Sequence, residues 1–460
     1  LEDFEKYFSS LRAKKVGVVG LGVSNLPLIE LLILHGAKIT VYDKKAACEF
    51  GETAENLRQK GVLFVCGEGY TDNIEDEIVF RTPGVLPTNP GLMRAKQNGA
   101  HVTSEMELFF ELCPAKIIGI TGSDGKTTTS TLISEFLKRA GHNTYLGGNI
   151  GRPLLAEIPH MKESNFAVVE LSSFQLMDMK LSPHTAVITN VSPNHLDKHY
   201  DMEEYINAKR NIFAFQTKKD KTVANYDNEI TRNFLKETRA VPFAFSRTHA
   251  QENGVYLENG SIMLAQNGKA EKILDAGKIK IPGMHNVENY MAAIGAVCEH
   301  VSAQHIQEVA ESFGGVPHRL EFVRELDGVK YFNSSIDSSP SRTLAALSVF
   351  DKKIILIAGG SDKNISFDEL GDALARKAKL VILIGQTSEK IARSIMKSAE
   401  YRQGSPAIIE EKTLQKAVKT ASGAAVPGDI VVLSPACASF DAFKNFEERG
   451  EVFKKSVHEL

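Results

Sequence analysis

Tryptophan is absent from the 460 residues, and cysteine is scarce: Cys48, Cys66, Cys113, Cys298 and Cys437 are the only five. They are odd in number, scattered, and form no Cys-x-x-Cys pair. That argues against a disulfide framework or a zinc site and points to a reducing, cytoplasmic setting. Long apolar runs are also missing. Ile354–Ala358 and Leu380–Ile384 are among the longest and are strand-length, far short of a membrane span. The opening LEDFEKYFSSLRAKK is polar and amphipathic, unlike a secretory leader. Charge of one sign is lacking too. A net −3 supplies no field for nucleic acid or an anionic membrane. The missing tryptophan decides nothing about function. What remains is a soluble globular composition, 43% hydrophobic and 24% charged, in a chain long enough for two to four domains.

The most specific stretch is Lys116–Thr129, KIIGITGSDGKTTT. A buried strand runs into a glycine-rich turn, then a helix. Backbone N–H groups at a helix start can cradle phosphate oxygens. Lys126 can reach the β- and γ-phosphates of a nucleotide, and the Thr127 hydroxyl can hold Mg²⁺. The general phosphate loop places a glycine five residues before Gly125, but Ile120 stands there and Gly122 lies three before. The turn is therefore a shorter variant, Thr-Gly-x-x-Gly-Lys-Thr.

Three blocks alternate apolar strands with amphipathic helices. The first has strands near Val16–Gly20, Lys38–Tyr42, Val62–Cys66 and Glu77–Phe80. The second opens at the phosphate loop and continues with Phe166–Leu171, Thr185–Asn190, Thr222–Asn225, Val241–Phe245, Val255–Leu257 and Ile262–Leu264. Polar hairpins are expected in Gln251–Gly260 and Gln266–Gly277. The third has Ile354–Ala358, Val381–Ile384 and Ile430–Leu433. Such repeats predict an α/β protein with parallel sheets and helices on both faces, with boundaries near Ser104 and Pro317. Ligands in such sheets sit at the carboxyl ends of the strands, where most of the candidate residues fall.

In the first block, Gly20-Leu-Gly22-Val-Ser-Asn25 follows a strand and opens a helix, and Asp43 closes the next strand. A dinucleotide site would look like this, but Asn25 replaces the third glycine. A nicotinamide cofactor, a nucleotide diphosphate and a turn built only for packing all fit. In the second block, Glu170 ends a strand beside the phosphate loop, where a Mg²⁺ partner is expected. His195 and Asp197 follow the next strand, in a loop expected to face the nucleotide. Lys209, on the following helix, reads by itself as a solvated lysine.

The motifs TGSDGKTTT, GGNIGRP (147–153), ELSSFQL (170–176), NVSPNHLDKH (190–199), YINAKRNIF (205–213), GMHNVENYMAA (283–293) and PHRLEFV (317–323) occur in the order found in the Mur ligases. The chain resembles that family over its whole length. The runs GGSDKNISF (359–367) and LSPACASFDAFKNFEERGEVF (433–453) resemble the member that adds D-glutamate to UDP-N-acetylmuramoyl-L-alanine. The resemblance implies three domains: a Rossmann-like UDP-binding domain (1–104), a P-loop-type central ATPase domain (105–317) and a Rossmann-like amino-acid-binding domain (318–460). It implies ATP as co-substrate, two Mg²⁺ sites, and an acyl-phosphate route in peptidoglycan precursor synthesis. A monomer acting on small molecules is the expectation.

Residue by residue, the resemblance implies ATP contacts from Gly122, Ser123, Asp124, Gly125, Lys126, Thr127 and Thr128, with His285, Asn286 and Asn289 on the adenine side. Arg319 is implied to reach the phosphates. Thr127, Glu170 and His195 are the implied metal ligands, and Lys209, carbamylated by CO₂, the implied support of a second Mg²⁺. Lys126, Lys209, His195 and Arg319 form the implied catalytic set. A carbamate suits a pair of divalent ions because it replaces a cation with an anion, and its formation needs a neutral amine. The UDP precursor is assigned Val23, Ser24, Asp43, Lys44 or Lys45, Thr82, Gly84 and Asn149, which removes the need for a nicotinamide. D-Glutamate is assigned Ser338, Lys363, Ser439, Phe440 and Phe446. One segment departs. Relatives carry Asn-Asp-Ser-Lys-Ala-Thr-Asn where Asn333–Ser339 reads NSSIDSS, so Ser334 replaces the acid and Ile336 the lysine. Asp337 and Arg342 are the candidates to compensate. A sister ligase, a nicotinamide oxidoreductase and a non-catalytic precursor-binding protein are the rival readings. The last would be expected to have lost one of Lys126, Glu170, His195 and Lys209.

Overall fold

The computed structural model describes residues 2–22, 24–194, 198–362, 365–402 and 404–460. Val23, His195, Asp197 and Lys363 lie outside the described residues. Three sheets organise the chain. The first comprises β1 (Lys15–Val19), β2 (Lys38–Asp43), β3 (Leu63–Cys66), β4 (Ile78–Arg81) and β5 (His101–Thr103). Its order is β3-β2-β1-β4-β5 and every pairing is parallel. Val16 and Val18 pack into one core while Val19 packs into another, so both faces are covered. That is why β1 is almost continuously apolar. The order reverses between β1 and β4, which puts the Gly20–Gly22 turn and the Thr82–Gly84 turn side by side at the switch point.

The second sheet contains β6 (Lys116–Thr121), β7 (Thr144–Gly148), β8 (Phe166–Glu170), β9 (Thr185–Ile188), β10 (Lys221–Asn225), β11 (Val241–Ser246), β12 (Gly254–Glu258), β13 (Ser261–Gln266) and β14 (Lys269–Asp275). Its order is β14-β13-β12-β11-β10-β9-β6-β8-β7. The pairings are parallel from β7 to β12, and β12-β13-β14 is an antiparallel meander. The polar hairpins expected there therefore belong to the sheet. Strand β6 lies between β8 and β9, so the phosphate turn also sits at a switch point.

The third sheet contains β15 (Glu321–Leu326), β16 (Val329–Asn333), β17 (Ile354–Gly359), β18 (Ala378–Ile384), β19 (Ala407–Glu410) and β20 (Ile430–Leu433), in the order β15-β16-β20-β17-β18-β19. Only β15 pairs antiparallel. Alternate residues of β17 enter different cores, Leu356 and Ala358 on one face, Ile355 and Ile357 on the other.

The chain gathers into two compact units. One holds the residues up to Ala276 together with His285–Val309, and the other holds Gly277–Met284 together with Ala310–Leu460. The first two sheets share a unit because one core runs through both, by way of Met106, Leu108, Phe109, Leu154 and Leu155. Among the described residues no helix is long and apolar enough to cross a membrane.

Candidate active site

Strand β6 delivers the phosphate turn. Gly122 has φ +151° and Gly125 φ +80°, and Gly125 directly precedes the helix Lys126–Arg139. A Cβ on Gly122 would lie 1.9 Å from Thr189 Oγ1, and one on Gly125 would lie 2.3 Å from Asn289 Oδ1. Only glycine admits this conformation at this packing. No side chain of Gly125 competes for the first helical amides, the arrangement an anion exploits. Asn190 holds the turn in shape: its carbonyl accepts from Ser123 N at 2.9 Å and its side-chain oxygen from Asp124 N at 3.0 Å. Thr127 and Thr128 follow in the first helical turn, half-buried. Asn289 Oδ1 accepts from Thr129 Oγ1 at 3.3 Å, and Asn289 Nδ2 donates to Asn286 Oδ1 at 3.1 Å. The Asn286–Asn289 pair is thus fixed to the phosphate-loop helix. His285 is exposed at the start of the helix Met284–Val297, and partial desolvation lowers its imidazole pKa against the pull of Asp124.

Two lysines converge on one carbonyl. Lys126 Nζ donates to Gly122 O at 2.8 Å and to Ser123 O at 2.9 Å, while Lys209 Nζ donates to Gly122 O at 2.8 Å. Lys209 is not solvated. It is 1% exposed, and its ammonium lies 4.6 Å from the centre of the Tyr205 ring. Burial first, and Lys126 second, pull its pKa down to about 7, with Asp124 and Glu170 opposing. Glu170 is also 1% exposed. Its Oε1 accepts from Asn149 Nδ2 at 2.9 Å, but its Oε2 is buried with no hydrogen-bond partner among the described residues. An orphaned buried carboxylate oxygen beside a phosphate turn fits a metal cation. Among the described residues no cluster of three or more His, Cys, Asp or Glu side chains is arranged to hold a metal.

Three further side chains, to which the sequence alone assigns no role, support this site. Tyr205 OH lies 3.0 Å from Ser123 Oγ, so one residue carries the Lys209 ammonium on its ring and the phosphate turn on its hydroxyl. His199 stacks on Phe174, packs edge-on against Tyr205, and bonds Ser173 Oγ at 2.9 Å and Glu204 Oε2 at 3.2 Å. Arg81, 1% exposed, ends β4 and grips Asp178, donating also to Val85 O at 3.2 Å and Phe174 O at 3.3 Å. It ties the Thr82–Gly84 turn to the segment stacked on His199.

The precursor-side residues cluster as well. A Cβ on Gly20, φ +91°, would lie 2.4 Å from Thr82 Cγ2, so the two turns touch. Asp43 Oδ2 accepts from Leu21 N at 2.7 Å and its Oδ1 from Lys45 N at 2.9 Å. Asp43 therefore fixes the glycine turn, which its sequence position alone does not reveal. Ser24 precedes the helix Asn25–Leu34 without a side-chain capping bond, and Lys44 and Lys45 are exposed. Asn149 is exposed at the end of β7, bonded to Glu170 rather than distant from it.

In the second unit, Arg319 is exposed between two residues with positive φ, His318 at +63° and Leu320 at +42°. Such conformations cost about 1–3 kcal/mol each for non-glycine residues. Ser439 is buried, Phe440 is exposed, and Phe446 opens the helix Phe446–His458 with its ring 5.9 Å from that of His318. Ser338 is half-buried on the loop before the helix Pro340–Ser348. Ser361, two residues before Lys363, pairs with Ala438 beside Ser439. Arg449 lies within the 433–453 run, where nothing in the sequence marks it out. It is buried, donates to Ser335 Oγ (3.0 Å), Ser335 O (2.8 Å) and Ala438 O (3.2 Å), and burial pulls its pKa down to about 10. An arginine held by carbonyls cannot be told from a surface one without the fold.

A multi-sheet α/β protein built round a phosphate turn, with two lysines and an unpartnered carboxylate oxygen facing it, is a nucleotide-handling protein in class. Family models narrow this. The Mur ligase MurD-like N-terminal domain matches residues 14–104, the Mur ligase middle domain residues 120–297, and the Mur ligase glutamate ligase domain residues 318–437. The chain belongs to the Mur ligase family. It is 49% identical to the UDP-N-acetylmuramoylalanine–D-glutamate ligase of Acetivibrio thermocellus, covering 100% of this chain and 99% of the relative. It is 47% identical to the enzyme of that name from Ruminiclostridium cellulolyticum, with the same coverage. Among solved structures, UDP-N-acetylmuramate-alanine ligase MurC from Thermotoga maritima aligns with TM-score 0.55 at 18% identity, over 97% of this chain and 99% of that one. A UDP-N-acetylmuramoyl-L-alanyl-D-glutamate–2,6-diaminopimelate ligase aligns with TM-score 0.56 at 18% identity, over 96% and 91%. At that identity the structures establish the shared fold alone.

Proposed function

We infer that the chain is an ATP-dependent ligase that adds D-glutamate to UDP-N-acetylmuramoyl-L-alanine, in the cytoplasm and as a monomer. The observation that carries the ATP reading is the meeting of Lys126 and Lys209 at Gly122 O, beside the orphaned Glu170 oxygen. The names of the full-length relatives support the substrate pair. The domains would run 1–104, 105–317 and 318–460.

The precursor would bind along Val23, Ser24, Asp43, Lys44, Lys45, Thr82, Gly84 and Asn149. Its L-alanine carboxylate would attack the γ-phosphorus of ATP in line. The bond to ADP breaks and an acyl phosphate forms. The amine of D-glutamate, held by Ser338, Lys363, Ser439, Phe440 and Phe446, then attacks the acyl carbon. A tetrahedral intermediate collapses, phosphate leaves, and the amine loses a proton. Lys126 would exchange its bonds to Gly122 O and Ser123 O for the nucleotide phosphates, and Arg319 would add a second positive charge there. The nucleotide would also lie against Gly122–Thr128, Asn286 and Asn289. Glu170 Oε2, the Thr127 hydroxyl and His195 would hold one Mg²⁺, and a carbamate on Lys209 would support a second; bound Mg²⁺ supplies charge neutralisation at the phosphates. A lysine with a pKa near 7 has the neutral amine that CO₂ requires.

The test is phosphate release from Mg·ATP with the precursor and one amino acid at a time. D-Glutamate alone should support release. Release with L-glutamate, L-lysine or meso-diaminopimelate instead would make the chain a sister ligase, and none at all would overturn the ligase reading.

A further inference from the structure

His199 is 2% exposed, although Lys198 and Tyr200 on either side of it are exposed. An imidazole folded inward from a surface loop needs partners for both ring nitrogens. Nδ1 lies 3.2 Å from Glu204 Oε2, and Nε2 lies 2.9 Å from Ser173 Oγ. A carboxylate only accepts, so Nδ1 carries a proton and, in the neutral ring, Nε2 accepts from the Ser173 hydroxyl. Glu204 Oε2 also accepts from Tyr200 N at 2.8 Å, which pins the backbone beside the ring. Serine, histidine and glutamate in this order would make a nucleophilic relay if the serine could be reached. Ser173 is 3% exposed, so no substrate carbonyl meets it. The three residues lock a ring in place instead. Aromatic contacts hold that ring on two further sides. Phe174 stacks on it, with planes 12° apart and centres 4.9 Å apart, and Tyr205 meets it edge to face at 5.1 Å.

Tyr205 is what the locked ring supports. The Ser123 hydroxyl donates to Ser192 O at 2.9 Å, which uses its one proton, so the Tyr205 hydroxyl 3.0 Å away is the donor of that pair. Ser123 Oγ accepts from Ser192 N as well, at 2.9 Å. One oxygen of the phosphate turn thus rests on both Tyr205 and Ser192. We propose that His199 is a positioning residue, clamped between Glu204 and Ser173, that sets the Tyr205 ring from which the phosphate turn is held. Every residue in this chain of contacts belongs to one compact unit. The inference rests on the ATP reading for what the turn binds, and on geometry alone for the clamp.

His199→Leu, Tyr205→Phe and the double variant H199L/Y205F test it. Each single variant should raise the KM for Mg·ATP about fivefold. The KM for the precursor should stay within about twofold, because Arg81 holds Asp178, Val85 O and Phe174 O without His199. The double variant should be no worse than the more impaired single one, since both changes remove the same support. Additive losses would show that His199 does not act through Tyr205, and a parental KM for Mg·ATP in His199→Leu would show that it positions nothing; either overturns the proposal. So does a rise in both KM values together, the mark of a residue that only stabilises the fold. If His199→Leu does not fold, Ser173→Ala decides. It removes one bond of the clamp and should raise the KM for Mg·ATP about twofold or more, and a parental value refutes the clamp. Amide exchange at Ser192, whose N–H is held by Ser123 Oγ, reads the clamp without ATP. Exchange about fivefold faster in His199→Leu is expected, and unchanged exchange sinks the proposal. A parent protein that turns over no ATP would refute the ligase reading and leave this last readout standing.

Discussion

Two residues with displaced pKa values carry the sharpest consequences at the smallest scale. Lys209 is held near pKa 7 by burial and by Lys126, so its ammonium fraction grows as pH falls below 7. Only the neutral amine attacks CO₂. In CO₂-depleted buffer, turnover should fall and return on adding bicarbonate. The rate of return should drop about tenfold for each pH unit below 7, following the neutral fraction. Lys209→Ala should lose about a hundredfold or more in kcat and recover partly with short carboxylates. Full activity without them would remove the carbamate from the mechanism. Glu105 is displaced the other way. It is buried at the start of the helix Glu105–Leu112, accepts from Leu155 N at 3.3 Å, and burial raises its pKa to about 7 from an ordinary 4.5. Between pH 4.5 and 7 the folded protein keeps a proton that the unfolded chain has lost. Stability therefore falls as pH rises through that window and stays lower above it. Glu105→Gln keeps the acceptor for Leu155 N and cannot ionise. Urea unfolding should show it more stable than the parent by about 1–3 kcal/mol at pH 8 and equal at pH 4.5. The same difference at both pH values would mean that packing, not ionisation, is responsible.

Between elements, the decisive contact is the grip of Arg81 on Asp178. It joins the end of β4 in the first sheet to the short helix Ser173–Leu176 and its exit, and the same guanidinium holds the Val85 carbonyl beyond the Thr82–Gly84 turn. Arg81→Met should cost about 2–4 kcal/mol, because Asp178 and two carbonyls lose a charged donor. It should also raise the KM for the UDP precursor while leaving that for D-glutamate unchanged. An unaltered precursor KM would mean that the turn keeps its shape unaided. No sequence pattern announced this contact, whereas β1, β6, β8 and β17 were legible because strands buried on both faces are nearly continuous apolar runs. Strands β5, β7, β14, β15, β16 and β19 are not among those the sequence points to, and most of them lack that signal. β5 is three residues long, β7 ends in two glycines, β14 reads KAEKILD, and β15 reads EFVREL at a sheet edge where one side faces solvent. The phosphate turn was legible because its glycines are dictated locally by positive φ. Tyr205, His199, Arg81 and Arg449 were not, because their roles come from long-range burial that a single sequence does not display.

For the whole molecule, the chain's division into two units determines how it unfolds. The backbone passes from the first unit into the second after Ala276, returns at His285, and leaves again after Val309. The excursion Gly277–Met284 belongs to the second unit's own packing. Ile281 is buried, with its Cγ2 3.3 Å from where a Cβ on Gly315 would be, and Lys278 pairs with Glu311 at 2.8 Å. Each unit has its own cores: the first has one that runs under two sheets and another on the opposite face of the first sheet, and the second has two on the faces of the third sheet. Calorimetry should therefore resolve two transitions. Ile281→Ala removes a buried side chain from one of them and should lower that transition by about 2–4 kcal/mol, leaving the other in place. Arg81→Met should lower the other and spare the first. Mg·ATP should raise the transition that Arg81→Met lowers, since Lys126, Glu170 and Lys209 all lie in that unit and a ligand stabilises what it binds. A single transition shifted equally by both substitutions would show that the units unfold as one, and the excursion would then be a strap within one cooperative body rather than part of a second.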